Sequence, residues 1–284
     1  MSNTATVLAF DFGASSGRAI RAVYDGQNLT YEEIHRFENI PIEKDGHLCW
    51  DVETLLKEIH TAIQKAGIFD SLGFDTWGVD FGLLDTDGHL LANPVHYRDA
   101  RTNGKPEQAA VRMPAEELYA HTGNQIMAIN TLFQLLALRE QDLELLQKAA
   151  QILFMPDLFA ALLGAEPVCE RSIASTSQML DPRTGQWSRE VLAVYGLNEK
   201  HFAPIVASGT VTGTLANGAK IIAVAGHDTQ CASAAMPCAE EDAEHTVFLS
   251  CGTWSLLGTE LDASILTADS CQSGLSNELG ANGK

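Results

Sequence analysis

The sequence predicts an α/β fold built on a mixed sheet. Three observations carry this reading. The first forty residues form short apolar and alternating runs separated by turn residues. An amphipathic helical stretch then leads into a further strand. Near residue 220, a short apolar run opens into small residues with helical character.

In chain order, TVLAFDF (6–12) is apolar and β-compatible and ASSG (14–17) supplies a turn. RAIRAVYD (18–25) alternates, and LTYEEIHRF (29–37) alternates again after the Asp25-Gly26 turn, so an antiparallel meander is expected. WDVETLLKEIHTAIQKAG (50–67) spaces Val52, Leu55, Leu56, Ile59 and Ile63 along one helix face, with Asp51 placed to cap and Gly67 to stop it. DSLGFDTWGVDFGLLDTDGHLL (70–91) reads as a strand and then a hairpin closing at Asp87-Gly88. From Lys105 to Gly196 the pattern is mostly helical, including NTLFQLLALREQ with Asn130 as a cap and PDLFAALLG ending at Gly164. ERSIASTSQMLDPRTGQW (170–187) interrupts it as a loop or short strands. KIIAVAG (220–226) is a buried strand, and HDTQCASAAM (227–236) follows as a small-residue helix.

No Pro/Ser/Gly linker divides these pieces, so residues 1–243 are expected to form one domain. TVFLSCGTWSLLGTE (246–260) then echoes the first hairpin: apolar strand, small-residue turn, apolar strand.

Composition restricts the partners. Thirty-seven acids against eighteen bases give a formal charge of −19, which disfavours nucleic acid and anionic membrane. No apolar run approaches the ~20 residues that span a bilayer, and MSNTATVLAF lacks the basic flank of a signal peptide, so a cytoplasmic protein is expected. The cysteines at 49, 169, 231, 238, 251 and 271 form no C-x-x-C pair and no zinc spacing. They read as buried reduced thiols.

Four stretches carry candidate chemistry. FDFGASSGR (10–18) fits neither common phosphate-loop spacing, since strand leads to strand. A Gly/Ser-rich turn still aims backbone N–H groups at phosphate oxygens, with Arg18 adding charge and Asp11 suited to a hydrated Mg²⁺; the alternative is a plain hairpin. GHDT (226–229) follows a buried strand, where Asp228 is either a helix N-cap or a general base kept ionised by helix N–H groups. His227 there either donates to a substrate or is a satisfied structural histidine. DTWGVDF (75–81) sets a tryptophan and two carboxylates around a glycine, as sugar sites do, or is a core strand with solvated acids. YRDARTNG (97–104) packs its charges beside a turn and suits an internal ion-pair network.

Taken together, DFGASSGR, IHRFEN, FDTWGVDFGLLD, YRDARTNG, MPDLF, AGHDT and LSCGTWSLLG, in this order, resemble the FGGY carbohydrate kinases of the actin, Hsp70 and hexokinase-like superfamily. The resemblance implies a ribonuclease H-like (actin/hexokinase-type) domain with flanking helices, plus the start of a second such domain. It implies ATP and Mg²⁺ as cofactors and a small-molecule ketose as substrate, L-rhamnulose first, with L-fuculose and D-xylulose as alternatives. By resemblance Asp228 is the catalytic base. Gly13, Ala14, Ser15, Ser16, Gly17, Arg18, Gly252 and Thr253 face the nucleotide, and Asp11 lies near Mg²⁺, through water. Trp77, Gly78, His227 and Thr229 contact the sugar.

One departure matters. Family members continue into a second domain of comparable size, whereas this sequence stops at SGLSNELGANGK. Residues 244–284 are therefore expected to begin an incomplete ATP-binding domain, leaving Val247, Phe248, Leu249, Trp254, Leu256 and Leu257 short of partners. That segment is expected to be disordered, to pack back on the first domain, or to be covered by a homo-oligomer or a separate second-half chain. The chain alone is then expected to be inactive. A non-catalytic sugar-binding module and an Hsp70-type ATPase are the competing readings.

Overall fold

The computed structural model describes residues 4–238, 242, 245–252 and 255–284. Its centre is a six-stranded mixed sheet: β1 (Ala5–Phe12), β2 (Ser16–Tyr24), β3 (Leu29–Glu38), β4 (Ser71–Thr76), β5 (Thr210–Thr214) and β6 (Lys220–Ala223), in the spatial order β5-β6-β4-β1-β2-β3. The meander β1-β2-β3 is antiparallel, as the alternation predicts. β4 runs parallel to β1 and to β6, because the chain between them crosses over through helices.

Alternation along β1 explains how the sheet is used. Leu8, Phe10 and Phe12 are fully buried on one face, and Asp11 points to the other. Phe10 stacks on Phe74 at 4.8 Å between ring centroids, and Phe12 on Phe159 at 4.8 Å. Each such side chain contributes roughly 1.5–3 kcal/mol relative to exposure. The helices on this face are α1 (Val52–Ala66), which buries Leu55, Ile59 and Ala62, and one that carries Phe159. Asp51 caps α1 by accepting the Thr54 N–H at 3.1 Å, and Gly67 ends it at φ +68°. Gly17 serves packing. A β-carbon there would stand 2.3 Å from the Phe37 ring.

A second apolar cluster joins the strand pair Phe81–Leu84 and Gln151–Phe154 to α2 (Ala115–Thr122) and α3 (Thr131–Gln141). The expected hairpin at Asp87-Gly88 therefore shrinks to a turn with one bridge, Leu84 to Leu90, since Phe81–Leu84 takes Gln151–Phe154 as its partner. Asn130 precedes α3 without capping it. Its side-chain amide donates instead to Gln125 O and Gln178 Oε1. α4 (Met155–Leu162) is followed by α5 (Arg171–Ala174), and the polar stretch 172–178 is buried here, contrary to a loop reading.

α6 (Asp228–Ala234) lies after β6, on the face to which Asp11 points. The hairpin echo is present as β7 (Phe248–Cys251) paired with β8 (Ser255–Gly258). Val247, Leu249, Leu256 and Leu257 are exposed as expected, Phe248 is half-buried, and Trp254 lies outside the described residues. The chain then returns: α7 (Ala268–Gln272) packs on α2, and Leu279 enters the core that holds Phe10 and Phe12. Cys49 and Cys169 are buried, as expected of the thiols, whereas Cys238 and Cys251 are exposed and correct that expectation. Among the described residues, no helix is long and apolar enough to cross a membrane.

Candidate active site

A cavity of about 620 Å³ opens at the carboxyl ends of β4, β1 and β6, where parallel strands commonly present ligand-binding loops. Asp11, Ala14 and Arg18 line it from the first hairpin, Asp75, Trp77 and Gly78 from the end of β4, and His227, Asp228 and Thr229 from the start of α6. Ser250, Gly252 and Leu256 approach from β7 and β8, and Ser276 and Glu278 from the returning segment.

The loop that carries Asp228 is clamped from below. Gly226 O accepts the Thr76 N–H at 2.9 Å, and Gly226 donates its own N–H to Glu170 Oε2 at 3.0 Å. Glu170 is 1% exposed and also accepts from Ser172 N–H, Ser172 Oγ and Ser208 Oγ, so this one carboxylate ties the loop to α5. His227 takes the N-cap position of α6, and Asp228 is its first helical residue. The N-cap alternative for Asp228 is thereby corrected: its Oδ1 accepts the N–H of the adjacent Thr229 at 2.6 Å. Burial pushes the Asp228 pKa up, against the opposing pull of His227 and the Thr229 N–H.

His227 is buried between two acids. Its Nε2 stands 3.4 Å from Asp228 Oδ1 and its Nδ1 2.9 Å from Glu278 Oε2, an ion-pair distance without hydrogen-bond alignment. Burial alone would lower its pKa, but Glu278, Asp228 and Asp75 together raise it. Gly78 lies opposite: a β-carbon there would come within 3.4 Å of His227 Nε2 and 3.2 Å of Thr176 Cγ2.

On the hairpin side, Asp11 and Arg18 are register partners across β1 and β2, and Arg18 donates twice to Asp11 Oδ2, at 2.7 and 2.5 Å. Asp11 is also the register partner of Asp75 on β4. Burial, then the charges of Asp11 and Asp228, hold Asp75 well above the ordinary carboxylate range. Among the described residues, the carboxylates of Asp11, Asp75 and Asp228 do not converge into a ligand set for a bare cation, so a divalent ion at this wall would be held at Asp11 through its own water, as Mg²⁺ commonly is.

The Trp-Gly segment is a supporting wall. Asp80 is 1% exposed, so the expectation of solvated acids fails for it. Its Oδ2 accepts from Trp50 Nε1 at 2.7 Å, Trp77 Nε1 at 3.0 Å and the Tyr97 N–H at 3.1 Å, and its Oδ1 from Gln134 Nε2 at 2.9 Å. Burial raises its pKa to about 6, with those donors pulling the other way. Between Gly78 and Asp80, Val79 sits at φ +66°, a conformation a β-branched residue rarely adopts. Thr176 Oγ1 accepts its N–H at 3.1 Å, and Thr131 Oγ1 donates to its carbonyl at 2.6 Å. From YRDARTNG, Arg101 is half-buried near Asp80 and Asp99 but donates to the neutral Gln134 Oε1 at 2.8 Å, a hydrogen bond in place of the expected ion pair.

Of the site residues expected from sequence, Asp11, Ala14, Arg18, Trp77, Gly78, His227, Asp228, Thr229 and Gly252 converge on this cavity. Gly13, Ser15, Ser16 and Gly17 do not line it. Gly17 is packed beneath Phe37, and Ser15 is exposed beyond the turn. Thr253 lies outside the described residues.

Residues 6–234 match the FGGY family of carbohydrate kinases, N-terminal domain. The chain belongs to the FGGY family. It is 40% identical, over 97% of its length, to a rhamnulokinase of Bacteroides thetaiotaomicron, of which it spans 59%. A carbohydrate kinase from Novosphingobium aromaticivorans superposes over 100% of the chain and 62% of its own, with TM-score 0.79 at 20% identity. A xylulose kinase from Bifidobacterium adolescentis covers 99% and 63%, with TM-score 0.73 at 15% identity. At such identities these two structures establish the shared fold: the mixed sheet is that of the FGGY kinases, the actin/hexokinase-type architecture.

Among the cavity residues of this FGGY chain, the sequence offers Asp75 as part of a sugar-type cluster or as a solvated acid, and does not mark Thr176 and Glu278 as site residues. Asp75 had a legible signal: Phe10-Asp11 and Phe74-Asp75 are the same dipeptide on two neighbouring parallel strands, in register. Thr176 lies in a stretch read as loop. Glu278 arrives from fifty residues beyond Asp228, with no local pattern to announce it.

Proposed function

We propose that this chain carries the sugar-acceptor site of an ATP-dependent kinase that transfers the γ-phosphoryl group of MgATP to a ketose hydroxyl, with L-rhamnulose the first substrate to test. One observation carries the reading. Asp228 sits in a cavity of about 620 Å³ at the strand ends, its pKa raised by burial, with His227 Nε2 3.4 Å from its Oδ1 and Gly78 across from the histidine. The 40% identity to a rhamnulokinase supports the choice of ketose.

The proposed chemistry asks little covalent work of the protein. The sugar sits against Trp77 and Gly78, with His227 and Thr229 donating to its hydroxyls. Asp228 accepts the proton of the hydroxyl that attacks the γ-phosphorus, and the bond from that phosphorus to the β,γ-bridging oxygen breaks, releasing ADP. Ala14 and Arg18 on the first hairpin and Gly252 on the second line the side of the cavity that would face the phosphates. Asp11 would hold Mg²⁺ through water, and the ion would supply neutralisation of phosphate charge. In this reading residues 1–243 are the sugar-binding domain, and β7–β8 opens the ATP-binding domain.

Coupled ADP-release assays with MgATP and a panel of L-rhamnulose, L-fuculose and D-xylulose test it, alongside calorimetric titration of each sugar. Turnover or binding with one ketose preferred supports the reading. Neither turnover nor binding with any ketose removes it.

A further inference from the structure

Glu278 comes from a part of the chain to which neither the hairpin motifs nor the GHDT loop assigns a role. Resting on the sugar-kinase reading above, we infer that Glu278 is a positioning residue for the acceptor site: it fixes the ring of His227 so that Nε2, not Nδ1, faces Asp228 and the sugar.

The geometry is that of a fixed clamp. Glu278 Oε2 stands 2.9 Å from His227 Nδ1 and accepts from Gln230 Nε2 at 3.2 Å, so its carboxylate is tied to α6 at two points one turn apart. Its neighbours in the chain are locked to the first domain. Asn277 donates its side-chain amide to Gly123 O at 3.0 Å, Ile265 O at 3.1 Å and Tyr119 Oη at 3.1 Å, while Leu279 is 8% exposed in the central core and donates its N–H to Ser175 Oγ at 2.9 Å. A carboxylate held between two such anchors has little freedom to leave the imidazole.

The chemical consequence follows from the two ring nitrogens. With Nδ1 at ion-pair distance from a carboxylate, the charge favours a proton on Nδ1, and the state of Nε2 sets what the site offers. The groups facing His227 are Glu278 from the returning segment, Asp228 on its own helix and Asp75 from β4, with Arg18 and Asp11 beyond Asp75. Without Glu278, burial is opposed only by Asp228 and Asp75. His227 then sheds its positive charge more easily, and Asp228 loses its nearest cation.

The test compares the protein with Glu278→Gln and Glu278→Asp, following the His227 ring by NMR titration and ketose phosphorylation by coupled assay. The expected result for Glu278→Gln is a fall in the His227 midpoint, since the largest raising charge is removed. It comes with a roughly tenfold drop in kcat, short of the ~10²–10⁴ expected for losing the base itself, and an unchanged KM for ATP. Glu278→Asp recovers part of both and stands in for Glu278→Gln should that variant fail to fold. A His227 midpoint unmoved in a folded Glu278→Gln protein overturns the assignment, as does a moved midpoint with unaltered ketose kinetics in an active protein. If the unaltered protein neither turns over nor binds any ketose, the sugar-kinase reading fails separately, and the titration alone decides whether Glu278 governs His227.

Discussion

Asp11 on β1 and Asp75 on β4 are direct register partners on neighbouring parallel strands, so two carboxylates project from the same face of the sheet into one cavity. Only Arg18, bound to Asp11, offsets them from within the hairpin. An arrangement that raises the proton affinity of one carboxylate this far is costly to the fold and is therefore a mark of function.

The linkage has a definite sign. The folded protein holds the Asp75 proton more tightly than the unfolded chain does, so this group's contribution to stability is complete below its ordinary value near 3.8 and is lost as pH rises through its raised folded value. In metal-free buffer, Asp75→Asn should therefore melt higher than the unaltered protein at about pH 8 and lose that advantage towards about pH 4. A lower melting temperature for Asp75→Asn at both ends of the range contradicts this.

Asp80 makes the opposite prediction, because two buried indoles, Trp50 and Trp77, donate to its Oδ2. Asp80→Ala removes the acceptor of both indole N–H groups, at about 1–3 kcal/mol for each buried donor left without it, while the Gln134 amide keeps its bond to Ile129 O at 2.9 Å. Chemical denaturation should show a loss of about 3 kcal/mol or more. Ketose affinity should fall with it, since Trp77 and Val79 lose the anchor that shapes the sugar wall. Asp80→Asn, which keeps an acceptor for the indoles, should lose less. Equal stability for Asp80→Ala and the unaltered protein excludes the network.

Much of this was legible in sequence, for identifiable reasons. The strands of the meander and α1 are specified by local alternation and by local signals such as Asp51, Gly67 and Gly26, which act within a few residues. The partnering of Phe81–Leu84 with Gln151–Phe154 was not legible, because an all-buried strand carries no alternation and its mate lies seventy residues away. Residues 172–178 look polar and hence exposed. They are buried because Glu170, Asn124 and Val79 supply their hydrogen bonds, a satisfaction visible only in three dimensions. The N-cap alternative for Asp228 had the same limit: one residue of offset at the start of α6 decides between capping and facing the cavity.

Gly17 separates the packing role of the first hairpin from its ligand role. Gly17→Ala places a methyl group 2.3 Å from the Phe37 ring, and overpacking of this kind costs about 1–3 kcal/mol. The melting temperature should drop while ketose affinity, measured below that temperature, holds. A selective loss of ligand affinity with unchanged stability places Gly17 in the site instead.

The central claim is that Asp228 is the general base, and the kcat of Asp228→Asn with MgATP and L-rhamnulose, measured in a form of the enzyme that carries the second domain as well, tests it most directly. The variant keeps the Thr229 N–H contact through its amide oxygen and removes a carboxylate that burial disfavours, so the fold should be unharmed. The account predicts a kcat lower by about 10²–10⁴, equivalent to roughly 3–5 kcal/mol of barrier, in a protein that melts no lower than the unaltered one. Near-normal turnover from Asp228→Asn would contradict it.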